Sequence, residues 1–181
     1  MNILEQIDSN VYEILFKTIT PTNTSIMIGI SFLASAGALI TIAIISLLVF
    51  KNKKLPKYIT LNLIISFILN RIIKIIVRRP RPEAFSLVLE NGYSFPSAHA
   101  MVGFAFYGFI IYLILKSQKN KRPKIIYTTL LSLLIILIGI SRIYLGVHYF
   151  TDVLGGFLIA LLYLILFIKF IYKRNIFKIN K

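Results

Sequence analysis

Two histidines and one aspartate are the side chains best suited to acid–base or nucleophilic chemistry. The chain has only two histidines, His99 and His148, and Asp152 follows the second by four residues. If that stretch is helical, the Asp152 carboxylate can accept a hydrogen bond from one imidazole nitrogen of His148. This bond would fix the tautomer and leave the other nitrogen as nucleophile or base. A surface pair without chemistry often has the same spacing.

Basic residues recur before the first histidine. Arg71, Lys74 and Arg78 are three and four residues apart, which stacks like charges on one helical face with no acidic residue nearby in the sequence. Such stacking destabilises a helix by itself. The pattern therefore predicts an anionic partner, which a bound ligand could supply.

The segment after this helix alternates arginine and proline. Pro80 and Pro82 are expected to end the helix and to hold Arg81 extended, so that its guanidinium can turn back over the helix end. A plainer interpretation is that Arg78, Arg79 and Arg81 only anchor a helix at the lipid headgroups.

The segment 95–99, Phe-Pro-Ser-Ala-His, has the features of a helix start. Ser97 is placed as an N-cap, and its hydroxyl and the free amides of the first turn would together form an anion site. His99 falls in that first turn. Alternatively, Ser97 is a plain cap and His99 is an interfacial aromatic residue.

The elements that must position these residues are membrane helices. Of the 181 residues, 57% are hydrophobic, and they fall in long blocks rather than helical stripes. Each block approaches the roughly 20 residues needed to cross the hydrocarbon. The chain has no cysteine, which excludes disulfides and thiolate chemistry.

We therefore predict an all-α fold, a polytopic transmembrane bundle of five to six helices forming a single domain over residues 1–181. Apolar residues at helical spacing predict an amphipathic interfacial helix over 1–22. The N-terminus lacks the features of a signal peptide and is expected to stay in the mature protein. The predicted spans are 26–50, 58–77, 98–115, 125–140 and 152–172.

Charge patterning predicts the orientation of this bundle. Three connecting segments are basic and free of acidic residues: Lys51, Lys53, Lys54 and Lys57; Lys116, Lys119, Lys121, Arg122 and Lys124; and Lys173, Arg174, Lys178 and Lys181. By the positive-inside rule these are cytoplasmic. All six acidic residues then lie on the opposite side: Glu5, Asp8, Glu13, Glu83, Glu90 and Asp152.

The net charge of +15 thus reflects topology, and we expect no nucleic acid partner. Arg78, Arg79, Arg81 and Arg142 are exceptions, because the topology places them on the acidic side. This exception favours a functional role, with the site at the extracytoplasmic face of a multi-pass cell membrane protein.

Three segments together resemble the type 2 phosphatidic acid phosphatases, or lipid phosphate phosphatases, which share their site with vanadium haloperoxidases. The matching segments are Lys74 with Arg81-Pro82, Pro96-Ser97-Ala98-His99, and Ser141-Arg142 with His148 and Asp152. Their order and spacing match those of the family. Ala98 stands where the family usually has glycine. Alanine restricts the backbone dihedral angles more than glycine does, but it keeps the backbone N–H.

The resemblance implies a residue-by-residue mechanism. His148 would attack phosphorus to form a phosphohistidine, His99 would protonate the leaving lipid oxygen, and Asp152 would orient His148. The phosphate oxygens would be held by a further group: Lys74, Arg81, Ser97, Ala98 and Arg142. Neither a metal nor another cofactor is expected.

The expected substrate is a lipid phosphate or diphosphate of a bacterial envelope. Undecaprenyl diphosphate, phosphatidylglycerol phosphate and phosphatidic acid or its lyso form all remain open. The alternatives are a haloperoxidase-like enzyme, and a lipid transporter or non-catalytic membrane protein, which could also carry charges within the membrane. The oligomeric state is left open.

Overall fold

Seven helices make up the computed structural model, which describes residues 3–50, 54–82, 86–117 and 120–173. Their bounds are α1 Ile3–Phe16, α2 Pro21–Phe32, α3 Ala36–Val49, α4 Lys54–Val77, α5 Ala98–Lys116, α6 Lys121–Tyr144 and α7 Phe150–Lys173. Over these ranges no residue is in a strand. The all-α membrane fold is confirmed, with one helix more than predicted.

The additional helix arises because the predicted span 26–50 is broken. The axes of α2 and α3 differ in direction by 44°. Ser35 caps α3, since its Oγ accepts a hydrogen bond from the Ala38 N–H at 3.2 Å. The hydroxyl thus offers the backbone a new helix start inside an apolar run, where periodicity alone indicated no break.

In the part of the chain that the structure describes, four helices are long and apolar enough to cross a membrane: α4, α5, α6 and α7. The bent pair of α2 and α3 would make a fifth span. Helix α6 runs four residues beyond the predicted 140, so Ser141 and Arg142 belong to its last turn. Their polarity suggested a loop, but the Ser141 hydroxyl donates to the Ile138 carbonyl of the same helix, and Arg142 donates to Ser31 and Glu90.

Helix α5 is the centre of the bundle and packs against α4, α6 and α7. Ala100, Met101, Ala105, Phe106 and Phe109 on this helix are fully buried. The outer helices instead expose large apolar side chains, such as Ile76 on α4 at 73% and Leu166 on α7 at 67%. A buried polar centre inside an apolar exterior suits a lipid environment.

Three parts of the chain meet at one end of the bundle. Helix α1 packs against α6 and α7, and the loop residue Leu87 donates a backbone hydrogen bond to Leu145 after α6. Helix α1 is shorter than the predicted 1–22, because a turn follows Phe16 and α2 begins at Pro21.

Some residues of the charge pattern lie outside the described residues: Lys51, Lys53, Glu83, Lys119, Arg174, Lys178 and Lys181.

Candidate active site

The end of α4 delivers the first group of basic side chains. Lys74 is only 8% exposed, and its ammonium donates to the carbonyls of Tyr93 and Ser94. The helix stops at Val77 because Arg78 takes a left-handed conformation, with φ of 53°. This conformation is a common way to end a helix, and it precedes the arginine and proline segment predicted to turn back.

Arg81 turns back over the helix end, as the prolines predicted. Its Nη1 donates to the Val147 carbonyl at 2.8 Å and lies 3.3 Å from Nε2 of His148. The other guanidinium nitrogens donate to the carbonyls of Gly92 and Asn91. Two loops therefore hold this cation beside the imidazole.

His148 lies in the turn between α6 and α7 and is 3% exposed. Gly146 makes that turn possible, since its φ of 71° is in the region that favours glycine. Nδ1 of His148 lies 3.3 Å from the Ser94 hydroxyl and 3.4 Å from Oδ2 of Asp152. Its two nitrogens thus face opposite environments, a carboxylate and a guanidinium.

Asp152, in the first turn of α7, is completely buried. Its Oδ2 accepts hydrogen bonds from the Ser94 hydroxyl and from the Tyr149 N–H at 2.9 Å. Its Oδ1 accepts from Arg79 Nη1 at 2.7 Å. These bonds supply the partners that a buried carboxylate requires.

The surroundings of His148 disfavour its charged form. The pKa of His148 is lowered to about 4, because burial and the nearby Arg81 charge together outweigh the hydrogen bond to Asp152, which raises it. Burial also lowers the pKa of Arg81, yet a guanidinium stays protonated. At neutral pH the site therefore combines a neutral imidazole with a cation at its outward nitrogen.

Ser97 forms the N-cap residue of α5 but makes no capping hydrogen bond. Its hydroxyl is buried and has no hydrogen-bond partner among the described residues, although its backbone N–H donates to the Asp152 carbonyl at 3.2 Å. Ala98 is the first residue of the helix. An unpaired hydroxyl at a helix N-terminus is suited to binding an anion.

Arg142 reaches the site from the last turn of α6 and is 3% exposed. Its Nη1 donates to the Ser31 hydroxyl at 2.6 Å, and its Nη2 donates to Glu90. The other Glu90 oxygen lies 3.8 Å from Arg81. One carboxylate therefore lies beside two of the predicted phosphate-binding arginines.

His99 lies where the polar site meets an apolar cavity. It is within electrostatic reach of Arg142, His148, Arg81 and Lys74. The cavity measures about 410 Å³ and runs between α3, α4 and α5, with walls of aliphatic and aromatic side chains. His99 is thus the histidine that could act on an apolar leaving group.

The structure brings the predicted site residues to one end of the bundle and adds others that the predicted site did not include. Ser94, Glu90, Arg79, Asp8 and Thr151 all bond directly to a predicted site residue or to its partner. The sequence contained only weak indications that these residues belong to the site. Asp8 and Glu90 are two of only six acidic residues, all on the same predicted side, but partners distant in sequence were not readable.

Over the described ranges, no three side chains of His, Cys, Asp or Glu are grouped as metal ligands would be. The metal-free mechanism stays a prediction that activity in chelator can test.

Comparison with known proteins identifies the family. The PAP2 superfamily matches residues 56–176. Phosphatidylglycerophosphatase B of Bacillus subtilis is 33% identical over 166 residues, which are 89% of this chain and 81% of that protein. Dolichyldiphosphatase of Saccharomyces cerevisiae is 34% identical over 102 residues, which are 52% of this chain and 43% of that protein.

Two solved structures share the architecture. The transmembrane PAP2 type phosphatidylglycerolphosphate phosphatase of Bacillus subtilis superposes with a TM-score of 0.88 at 28% identity, covering 99% of this chain and 90% of that one. Aquifex aeolicus LpxE gives a TM-score of 0.70 at 25% identity, covering 88% of this chain and 93% of that one. The chain belongs to the PAP2 superfamily, and the predicted class of membrane lipid phosphatase is confirmed.

Proposed function

We propose that this protein removes the terminal phosphate of a membrane lipid through a phosphohistidine on His148. The observation that carries the proposal is the environment of that imidazole. One nitrogen faces Asp152, and the other faces the Arg81 guanidinium at 3.3 Å. A neutral nucleophile with a cation beside its attacking atom suits reaction with an anionic phosphate.

In the first step, Nε2 of His148 attacks phosphorus and the bond from phosphorus to the lipid oxygen breaks. Nδ1 keeps its proton, directed at Asp152, so that the lone pair is on Nε2. His99 gives its proton to the departing oxygen, and the lipid leaves as an alcohol or, from a diphosphate, as a monophosphate. In the second step water attacks phosphorus, His99 takes its proton, and the P–N bond breaks.

The phosphate oxygens would be held by fixed charges and amides. Lys74, Arg81 and Arg142 supply the cations, and Ser97 with the amide of Ala98 supplies further donors. Glu90 now accepts the hydrogen bond from Arg142. An entering phosphate would replace that carboxylate, exchanging one anion for another.

The apolar cavity supports a lipid as the leaving group. It joins His99, the proposed acid, to a space lined by residues of the membrane helices. An acyl or prenyl chain can occupy such a space while its headgroup stays in the cationic site.

The proposed orientation places the site on the extracytoplasmic face. Lys54 and Lys57 at the start of α4, and Lys121, Arg122 and Lys124 at the start of α6, lie at the helix ends remote in sequence from the site residues. By the positive-inside rule those ends are cytoplasmic.

Phosphatidylglycerol phosphate is the substrate we favour, because the Bacillus subtilis sequence relative and the Bacillus subtilis structure that match most of this chain are both named for it. Undecaprenyl diphosphate is the second candidate, since a dolichyldiphosphatase also matches.

The test is phosphate release by the purified protein in mixed micelles containing EDTA. Phosphatidylglycerol phosphate, undecaprenyl diphosphate and phosphatidic acid are compared, with His148→Ala as the inactive control. We expect chelator-resistant release that is fastest from phosphatidylglycerol phosphate. Loss of activity in EDTA would overturn the metal-free mechanism, and equal rates on all three lipids would overturn the substrate preference.

A further inference from the structure

Asp8 is the one residue of α1 that is buried. Its Oδ1 accepts a hydrogen bond from the Thr151 N–H at 2.8 Å, and its Oδ2 accepts from the Thr151 hydroxyl at 2.7 Å and from Arg79 Nη2 at 2.8 Å. An otherwise half-buried or exposed amphipathic helix thus directs a single carboxylate into the polar site. Anchoring a helix at a membrane surface requires no such contact.

Arg79 joins this carboxylate to the one beside the imidazole. Its Nη1 donates at 2.7 Å both to Oδ1 of Asp152 and to the Thr151 hydroxyl. Its guanidinium carbon lies 4.1 Å from the centre of the Tyr149 ring. Although burial opposes it, hydrogen bonding to Asp8 and the nearby Asp152 charge raise the pKa of Arg79.

The hydrogen bond from Arg79 restricts the rotation of the Asp152 side chain. Arg79 occupies Oδ1, which leaves Oδ2 for Ser94, the Tyr149 N–H and the imidazole. If Arg79 moved, the carboxylate could turn and the alignment of His148 would be lost. Two of the three polar contacts that hold the Arg79 amino groups involve α1 or a residue bonded to it.

The segment that matches the PAP2 superfamily begins at residue 56, so Asp8 comes from outside it. We infer that Asp8 is a positioning residue for the proposed reaction: through Arg79 and Thr151 it holds Asp152 in the rotamer that orients His148. The inference rests on the proposed function of His148. It makes α1 part of the active-site framework as well as a surface helix.

The test compares steady-state kinetics of Asp8→Asn with those of Glu13→Gln, on phosphatidylglycerol phosphate in mixed micelles. Glu13 is an exposed carboxylate on the same helix, so its change matches the loss of charge. We expect Asp8→Asn to lower kcat about 10- to 100-fold, as for the loss of a hydrogen bond between charged groups, while KM changes less than about twofold. Glu13→Gln should leave both constants unchanged.

The energetic coupling between Asp8 and Arg79, measured with a double variant, distinguishes a positioning role from a general loss of structure. In an Arg79→Gln background, Asp8→Asn should change kcat by less than about twofold, because the connection is already broken. If Asp8→Asn yields no folded protein, Thr151→Val carries the test, since it removes only the bridging hydroxyl. Its expected loss in kcat is about 5- to 30-fold, since that hydroxyl donates to Asp8 and accepts from Arg79.

The inference would be overturned if folded Asp8→Asn or Thr151→Val kept the wild-type kcat. It would also be overturned if the fold losses in kcat of Asp8→Asn and Arg79→Gln simply multiplied in the double variant. Failure of the unmodified protein to release phosphate from any lipid would instead overturn the proposed function.

Discussion

At the scale of single residues, the proposed reaction depends on whether His148 is neutral or protonated. Its buried imidazole has two differently occupied nitrogens, with Nδ1 toward Ser94 and Asp152 and Nε2 toward Arg81. Only the neutral ring has a lone pair for phosphorus. The balance between burial and the Asp152 carboxylate therefore determines where activity begins as pH rises.

That balance predicts an unusually acidic lower limb in the pH profile of kcat/KM. The pKa of His148 is lowered to about 4, chiefly by burial, so the nucleophile stays neutral down to that pH and protonates only below it. The substrate phosphate itself ionises near about pH 6. After kcat/KM is corrected for that ionisation, it should fall only as the pH approaches 4. A residual limb at about 6.5, the ordinary histidine value, would contradict this account.

Glu90 is predicted to compete with phosphate for Arg142. Glu90→Gln keeps the size of the side chain but removes its charge, so inorganic phosphate or vanadate should inhibit about fivefold more strongly. Inhibition constants measured on this variant and on Glu13→Gln test the point. An inhibition constant that is unchanged or higher in Glu90→Gln would show that the carboxylate does not occupy the phosphate position.

The site was predictable from the sequence where its residues lie close together along the chain. His148 and Asp152, or Ser97 and His99, reveal their relation by spacing. Charge patterning indicated Lys74, and the family resemblance gave Lys74, Arg81 and Arg142 their phosphate-binding roles. The bonds of Arg142 to Ser31 and of Arg79 to Asp8 span 111 and 71 residues. Such contacts depend on how helices pack, which neither periodicity nor charge patterning determines.

At the scale of elements, the close approach of α6 and α7 positions the segment from Ser141 to Asp152. Gly139 on α6 faces α7, and a Cβ added there would lie 2.8 Å from Val153 Cγ1 and 2.6 Å from Phe157 Cζ. Val153 is stiff because it is β-branched, and it adjoins Asp152. Small residues at such crossings let membrane helices approach closely.

Gly139→Ala is accordingly expected to destabilise the bundle by about 1–3 kcal/mol through overpacking. Gly37 on α3 is the matched control, since a Cβ there meets nothing within 4 Å. Gly37→Ala should be neutral or stabilise by up to about 1 kcal/mol. Thermal unfolding of both variants in the same detergent makes the comparison, and equal midpoints would contradict the packing argument.

The elements themselves were mostly evident from hydropathy. Helices α4, α5 and α7 begin and end within four residues of their predicted spans. The bend between α2 and α3 was not predicted, because Ser35 in an apolar run is an ordinary membrane residue until its hydroxyl caps a helix. The burial of Asp8 was not predicted from the sequence either, since polar residues on an interfacial helix normally face water.

At the scale of the whole molecule, the proposed orientation predicts opposite accessibility of the two ends. The chain has no cysteine, so one introduced cysteine gives an unambiguous signal. Leu89, fully exposed in the loop before α5, and Asn120, exposed at the start of α6, mark the two ends. In intact cells a membrane-impermeant maleimide should label Leu89→Cys, and should label Asn120→Cys only after permeabilisation.

Labelling of Asn120→Cys but not of Leu89→Cys in intact cells would reverse the orientation. The fold and the chemistry would stand, but the substrate phosphate would then have to lie on the cytoplasmic side.

The proposed mechanism requires that phosphate becomes covalently bonded to His148, which quenching without acid followed by peptide mass spectrometry can detect. The His99→Ala variant, mixed with p-nitrophenyl phosphate, should accumulate the intermediate, because the departing phenolate needs no proton from His99 while the proposed base for hydrolysis is missing. We predict an acid-labile, base-stable phosphate on the peptide containing His148, and none in the double variant with His148→Ala. Phosphate on another residue, or rapid turnover by His148→Ala without a phosphoenzyme, would contradict the account.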